Sequence, residues 1–306
     1  MIHTEELGRI IFGCGNFGGL GSSPTLRDKG DDRDRALALL DHARGIGLTR
    51  FDTANTYGGG VSEIVLGEWL QAQDQDFRSR IQIATKVGNP HGCPPGERPL
   101  SRSQIAHHLD QSLQRLGLDR ISLYYLHEFD PLTPLDETLE ALDRALAQGK
   151  IAAFGVSNAT IADLKAVLAL TGGALRAAFT HIQNQFNLLE QGDLEDVIPL
   201  AHAEGIRYVA FSPLAGGLLS GKYREGRSPD PGTRVSDAPE MYGQYLTAPT
   251  FEAIAGLRLR ATQSGWTVPG AALHFILDTP GVDSLIIAPR SVEQFEGYGV
   301  RSPSGF

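Results

Sequence analysis

The chain has 306 residues, 41% hydrophobic and 21% charged, a balance that supports a sizeable buried core and excludes a disordered chain. A formal net charge of -9 argues against a nucleic-acid-binding surface and leaves small-molecule substrates open. The two cysteines, Cys14 and Cys93, form no C-x-x-C pair and no zinc-spaced cluster with histidine, which fits free thiols in a reducing compartment and no metal. Residues Met1–Glu6 carry acids where a signal peptide would carry bases before an apolar run. No stretch reaches the ~18 apolar residues of a membrane helix. The expectation is a soluble cytoplasmic protein with no membrane and no nucleic-acid partner.

Strand signals alternate with helical ones along the chain. Arg9 to Gly15 reads as a short buried strand, followed by a flexible exit loop and a helix capped by Asp31-Asp32 and carrying Ala36, Leu37 and Leu40. A second strand ends at Asp52, breaks at Gly58-Gly59-Gly60 and gives way to Val61, Val65 and Trp69 at helical spacing. Ile81–Lys86 is the third strand. Ser101–Gln104 reads as a capping box for a helix bearing Ile105, Leu109, Leu113 and Leu116, stopped by Gly117. Ile121–Leu126 is the fourth strand, ending at His127, and Thr133-Pro134 opens the next helix. Ala152–Val156 leads to Ser157-Asn158, then a helix runs from Thr160 to Leu170. His181–Asn184 is a weak sixth strand, with a helix near Asp193 to Ala203 behind it. Arg207–Phe211 is the seventh strand. Leu214–Thr250 shows no period, helices resume from Phe251 and from Val268, and Ser284–Ile287 is the eighth strand.

Eight strands alternating with helices predict a (β/α)₈ barrel in a single domain, residues 1–306, with a long loop after strand 7. A doubly wound sheet is the competitor. Gly13-Cys14-Gly15-Asn16-Phe17-Gly18 matches G-x-G-x-x-G, yet no helix follows directly and no acidic residue ends a second strand about 20 residues on. In the barrel, Asp52, Lys86, His127, Ser157, Asn158 and Gln183 all fall at or just past strand ends on one face, the catalytic face of this fold. Each alone is an ordinary capping or solvated side chain; their joint placement points to chemistry. A tyrosine is a poor acid at neutral pH, and an ammonium beside it lowers its pKa. Lys86 next to Tyr57, held by Asp52, with His127 across the substrate oxygen, suits protonation of a carbonyl while hydride arrives at carbon.

These residues resemble the aldo-keto reductases. The likeness rests on Asp52-Thr53-Ala54, Tyr57-Gly58, Ser62-Glu63, Leu66-Gly67, Thr85-Lys86, Leu126-His127, Gly155-Val156-Ser157-Asn158, Gln183 and Ser212-Pro213-Leu214 with Gly217-Leu218, in order over nearly the whole chain. The resemblance implies a catalytic tetrad of Asp52, Tyr57, Lys86 and His127, with Tyr57 the general acid, and NADPH extended across the barrel mouth. Ser157, Asn158 and Gln183 would hold the nicotinamide amide, with Phe211 against the ring. Ser212, Leu214 and Gly217 would touch the pyrophosphate with Lys222 and Arg234 nearby, and Arg290, Ser291 and Gln294 would hold the adenosine phosphate. The chain departs from the family at Ala288, where glycine is common, and at Gly297-Tyr298, where an acid and then asparagine are common. Its Gly- and Pro-containing end, Gly299–Phe306, predicts an early stop to the last helix and a shortened C-terminal segment. The expected function is reduction of an aldehyde or ketone to an alcohol. The rivals are a metal-dependent barrel hydrolase, for which Asp52 and His127 are too few ligands, and a cofactor-bound regulatory module resembling the potassium-channel β subunits.

Overall fold

The computed structural model describes residues 4–94 and 96–300. Eight parallel strands, β1 (Ile10–Gly13), β2 (Arg50–Asp52), β3 (Gln82–Val87), β4 (Leu123–Leu126), β5 (Phe154–Ser157), β6 (Phe179–Gln185), β7 (Arg207–Phe211) and β8 (Val282–Ile287), form a closed barrel in chain order. Closure runs through Ile10↔Leu285, Ile11↔Ile286 and Phe12↔Ile287, which leaves no free sheet edge. All eight strands expected from the sequence are present, with ends moved by up to two residues.

Alternation along each strand sorts the side chains. Phe12, Phe51, Ile83, Tyr124, Phe154, Ile182, Tyr208 and Leu285 face outward into the core between strands and helices. Helices Val61–Gln71, Arg102–Leu116 and Leu135–Ala147 close that core with Leu66, Leu70, Ile105, Leu109, Leu139 and Leu142. The inward set is short of apolar mass. Ile11, Val209 and Ile286 cluster on the axis with Phe211, while Ala84 and Gly155 are small and Arg50, Tyr125, His181 and Ser284 are polar. Gly155 has a packing reason: a Cβ there would sit 2.6 Å from the Tyr125 ring.

Several local readings are corrected. Asp32 caps its helix by accepting from Arg35 N–H, but Asp31 is buried and makes ion pairs instead. Ser101 makes no capping bond; the carboxylate of Glu137 accepts the Arg102 N–H at 3.1 Å in its place. Thr133 does not cap: its hydroxyl donates to Asp130, and Pro134 is the capping position. The helix expected from Asp193 starts at Val197, because Asp193 is drawn into bonds with Tyr208 and Asn184. The helix expected from Phe251 starts at Ala248. Val61 keeps the helical phase but is 40% exposed.

The long segment after β7 is not structureless. It carries a 3-10 turn at Ala215–Ser220, one-turn helices at Arg234–Asp237 and Pro239–Tyr242, and a 3-10 turn at Gly243–Tyr245, pieces too short to leave a period in the sequence. Tyr223, Val235 and Tyr242 give it a core of its own against Leu20 and Leu26 of the loop after β1. That first loop is likewise knitted down rather than flexible, by Gly18 N–H to Asp31 O, Asp31 N–H to Asn16 O and Gly21 N–H to Gly15 O, at 2.7–3.0 Å. The last helix, Val292–Gly297, is short as expected; the shortened segment expected beyond it falls largely on residues 301–306, outside the described residues.

Candidate active site

β2, β3 and β4 each deliver one inward side chain at the same end of the barrel: Asp52, Lys86 and His127. Register fixes their heights, with Asp52 beside Ala84 and Lys86 beside Tyr125. Past β2 the chain turns through Tyr57–Gly60 with Gly58, Gly59 and Gly60 all at positive φ. Gly58 also passes so close to the first loop that a Cβ would lie 2.4 Å from Phe17 O. Only glycine satisfies both demands, and the turn drops Tyr57 back over the mouth.

The four side chains meet. Lys86 Nζ pairs with Asp52 Oδ1 and donates to Thr53 O at 2.9 Å and Tyr57 Oη at 3.1 Å. The ammonium lies 4.7 Å from the Tyr57 ring centroid, and His127 stands edge-on to that ring at 5.6 Å and 85°. Lys86 is wholly buried. Burial opposes its charge, but Asp52 and Tyr57 outweigh burial and leave its pKa above the usual lysine value. For Tyr57 the sequence-based expectation is reversed: burial pushes the phenol up, Asp52 adds to this, and Lys86 opposes without overcoming them. Burial and then the Lys86 charge push His127 far below its usual pKa, so the imidazole is neutral. Its Nδ1 is buried with no hydrogen-bond partner among the described residues.

The expected cofactor residues line the rim from β5 round to β8, and most have protein partners. Gln183 donates to Asp52 Oδ2 at 2.9 Å. Asn158, at φ 53°, donates to His127 O at 2.9 Å and lies 3.4 Å from Ser157 Oγ. Phe211 points inward at the end of β7. Ser212 also has positive φ, and its carbonyl accepts from Asn187 at 3.0 Å. Leu214 and Gly217 are joined by a 2.8 Å backbone bond, and a Cβ on Gly217 would come 3.4 Å from Lys222 Nζ. Arg234 donates to Asn16 Oδ1 at 2.9 Å, while Asn16 donates to Ala288 O at 3.0 Å, so the long segment is tied to both β1 and β8. Arg290 donates to Lys29 O at 3.0 Å and pairs with Asp31 at 3.4 Å, and its N–H is accepted by Gln294 Oε1 at 2.9 Å. Arg290 walls a cavity of about 530 Å³ with Lys29, Gly30 and Ser236.

The sequence reading missed the residues that hold this set in place. Asn16 reads only as part of a glycine-rich match and Asp31 only as a helix cap, and neither reading points to the bonds with Arg234, Ala288 O and Arg290 that the fold gives them. Glu63 shows in the sequence only as part of the Ser62-Glu63 motif; it is buried, accepts from Thr85 at 2.5 Å and pairs with Arg115 at 2.7 Å, bracing β3 one residue before Lys86. Tyr125 did carry a signal, since alternation puts it on the same face as His127.

A closed eight-stranded barrel with a buried Lys–Asp pair, a part-buried tyrosine and a buried histidine at its C-terminal mouth has the architecture of a barrel enzyme. The family model described as the Aldo/keto reductase family matches residues 9–298, and the chain belongs to that family. Relatives include the uncharacterized oxidoreductase YrpG of Bacillus subtilis, 32% identical over 94% of this chain and 85% of the relative. The L-glyceraldehyde 3-phosphate reductase of Escherichia coli is 32% identical over 85% of this chain and 76% of the relative. A putative voltage-gated potassium channel subunit beta of Schizosaccharomyces pombe is 30% identical over 90% and 81%. The protein is an NAD(P)H-dependent oxidoreductase of a family that acts on small carbonyl compounds. No helix among the described residues is long and apolar enough to cross a membrane.

Proposed function

We propose that the chain works as one domain that reduces an aldehyde or ketone to an alcohol, with NADPH as reductant and Tyr57 as the proton donor. The observation that carries this reading is the contact of one buried ammonium, Lys86 Nζ, with both Asp52 and the Tyr57 hydroxyl.

The residues fit a nicotinamide dinucleotide. Amide and hydroxyl groups (Ser157, Asn158, Gln183) gather at one part of the rim and cations (Lys222, Arg234, Arg290) at another, matching a neutral carboxamide and an anionic tail. The cavity beside Arg290 has room for a phosphorylated group. When bound, the reduced cofactor supplies the hydride. Tyr57 keeps its proton at neutral pH because its pKa is raised, so the acid form is present to protonate the carbonyl oxygen. Lys86 then stabilises the phenolate left behind, and Asp52 keeps Lys86 charged and in reach. Neutral His127 can donate to the same oxygen without carrying a charge into the pocket. Arg290 would recognise a 2′-phosphate through its planar guanidinium.

The relative named as a potassium channel subunit keeps a regulatory reading open, and the complete Tyr–Lys–Asp–His set supports turnover instead. A panel of carbonyl compounds, read by NADPH oxidation with wild type and Tyr57→Phe, tests the proposal. Turnover by wild type and loss of about 10²- to 10⁴-fold in the variant, with NADPH still bound, is the expected result. Cofactor binding without turnover on any carbonyl would favour the regulatory reading.

A further inference from the structure

Next to Gln183 on β6, Asn184 faces away from the barrel axis by strand alternation and takes no part in the tetrad. It is 6% exposed, and every polar group of its amide is used. Oδ1 accepts the Ala159 N–H at 3.0 Å, while Nδ2 donates to Ala159 O and to Asp193 Oδ2, both at 2.8 Å. The amide has one orientation only, because a backbone N–H can only donate and a carbonyl or carboxylate can only accept.

The residue gripped in this way stands directly after Asn158. Pairing of β5 with β6 ends at Ser157↔Gln183, with one further bond from Asn158 N–H to Gln183 O at 3.1 Å. Beyond it, Ala159 is buried, and its N–H and C=O lie past the end of the ladder and need partners from elsewhere. The Asn184 side chain supplies both. Between these two anchors Asn158 has φ 53°, the left-handed region that a side-chain-bearing residue keeps where its surroundings hold it there. That backbone sets where the Asn158 amide stands. Its Nδ2 donates to His127 O at 2.9 Å, so Oδ1 is the atom left for a cofactor.

Resting on the reading that Asn158 meets the nicotinamide carboxamide, we propose that Asn184 is a positioning residue for the cofactor. By clamping both backbone groups of Ala159, it holds Asn158 in its left-handed conformation, with Oδ1 as acceptor for the carboxamide NH₂. Asp193, which also accepts from the Tyr208 hydroxyl at 2.7 Å, occupies the second N–H of Asn184 and keeps the clamp from turning over.

The test compares Asn184→Ala with wild type in binding two probes: NADP⁺, and 2′-phospho-ADP-ribose, which lacks the nicotinamide. NAD⁺ and ADP-ribose form a parallel pair if the protein prefers the unphosphorylated cofactor. The expected result is a Kd about 3- to 10-fold higher for the whole dinucleotide, the range for one hydrogen bond, with the fragment unchanged. Asn184→Leu also removes the clamp, so the reading stands on whichever variant folds. Tyr208→Phe cuts a bond of the same network without touching Asn184 or Ala159, and should leave both Kd values at wild type. Asn158→Ala should show the same selective loss, and Asn184→Ala should add nothing to it in a double-mutant cycle. Equal weakening of dinucleotide and fragment, a Tyr208→Phe loss as large as that of Asn184→Ala, or additive losses in the cycle would overturn the proposal. Selective loss in Asn158→Ala but none in Asn184→Ala would overturn it while leaving the carboxamide reading in place. An Asn158→Ala protein that binds both probes as wild type does would overturn the carboxamide reading, and the role of Asn184 with it.

Discussion

Lys86 makes sense only as a partner. A lysine with no exposed surface survives as an ammonium because Asp52, Thr53 O and Tyr57 surround it; breaking such a pair leaves an uncompensated buried charge. Lys86→Met should therefore cost as much kcat as Tyr57→Phe, and the double variant should be little worse than either, since the two act as one unit. Single-turnover rates of the three variants check this, and losses that add in log kcat would separate the two roles. The raised Tyr57 pKa has a direction too. A general acid works while protonated, so reduction should hold through neutral pH and fall only above the ordinary phenol range near 10. A profile of kcat/KM falling between pH 7 and 9 would rule out that assignment, and a limb near 6.5 would contradict a neutral His127. At the far rim, Arg290 is held by Asp31 and Lys29 O before any cofactor arrives. Arg290→Ala should weaken NADPH by about 1.5–3 kcal/mol and leave NADH nearly unchanged, measured as Kd by fluorescence titration. Equal weakening of both cofactors would remove Arg290 from phosphate recognition.

Elements set where those residues stand, and the turn Tyr57–Gly60 is the most constrained of them. Gly58→Ala meets a positive φ of 57° and a Phe17 carbonyl 2.4 Å from the new Cβ. Backbone atoms on both sides cannot yield cheaply, so the variant should lose about 1–3 kcal/mol of stability and more activity than stability, as Tyr57 rides on the turn. Urea unfolding beside kcat reads both; an active, fully stable variant would show that the loops shift freely. Much of this architecture was legible in advance because strands and barrel helices carry their own periods, and because Asp52, Lys86 and His127 end strands. Alternation then fixes their direction. What escaped the sequence lacks a period or depends on distant partners. The one-turn helices between Leu214 and Thr250 are shorter than any repeat. The Asn16 side chain bonds Arg234 and Ala288 O, which lie 218 and 272 positions away. The direction of the Tyr57 shift escaped for a related reason: a motif shows the lysine beside the phenol but not the extent of burial around both.

At the scale of the whole molecule, the polar interior couples the barrel to pH. His127 at the upper mouth and His181 lower in the barrel both face inward. Burial first, then nearby cations, depress both: Lys86 for His127, and Arg50 and Arg207 for His181, which falls to about 3. His181 Nδ1 is 2.7 Å from the Thr180 hydroxyl, and its ring meets Tyr125 at 6.5 Å. A depressed folded pKa means that the unfolded chain takes up a proton first as pH falls. The stability from neutral histidine is thus complete above 6.5 and is lost progressively as pH drops towards the folded value, by about 1.4 kcal/mol per pH unit for each histidine. Asp31 and Glu128, whose carboxyls burial pushes up, act in the opposite sense, so the clean measure is a difference between two proteins. His181→Gln keeps a polar side chain inside the barrel and removes one titrating group. Its unfolding free energy in urea, followed from pH 7 to pH 4, should therefore fall less steeply than that of wild type, by about 1.4 kcal/mol per pH unit below 6.5. Parallel curves for His181→Gln and wild type would mean that the lower barrel admits enough water to charge His181, and that the polar interior is not sealed.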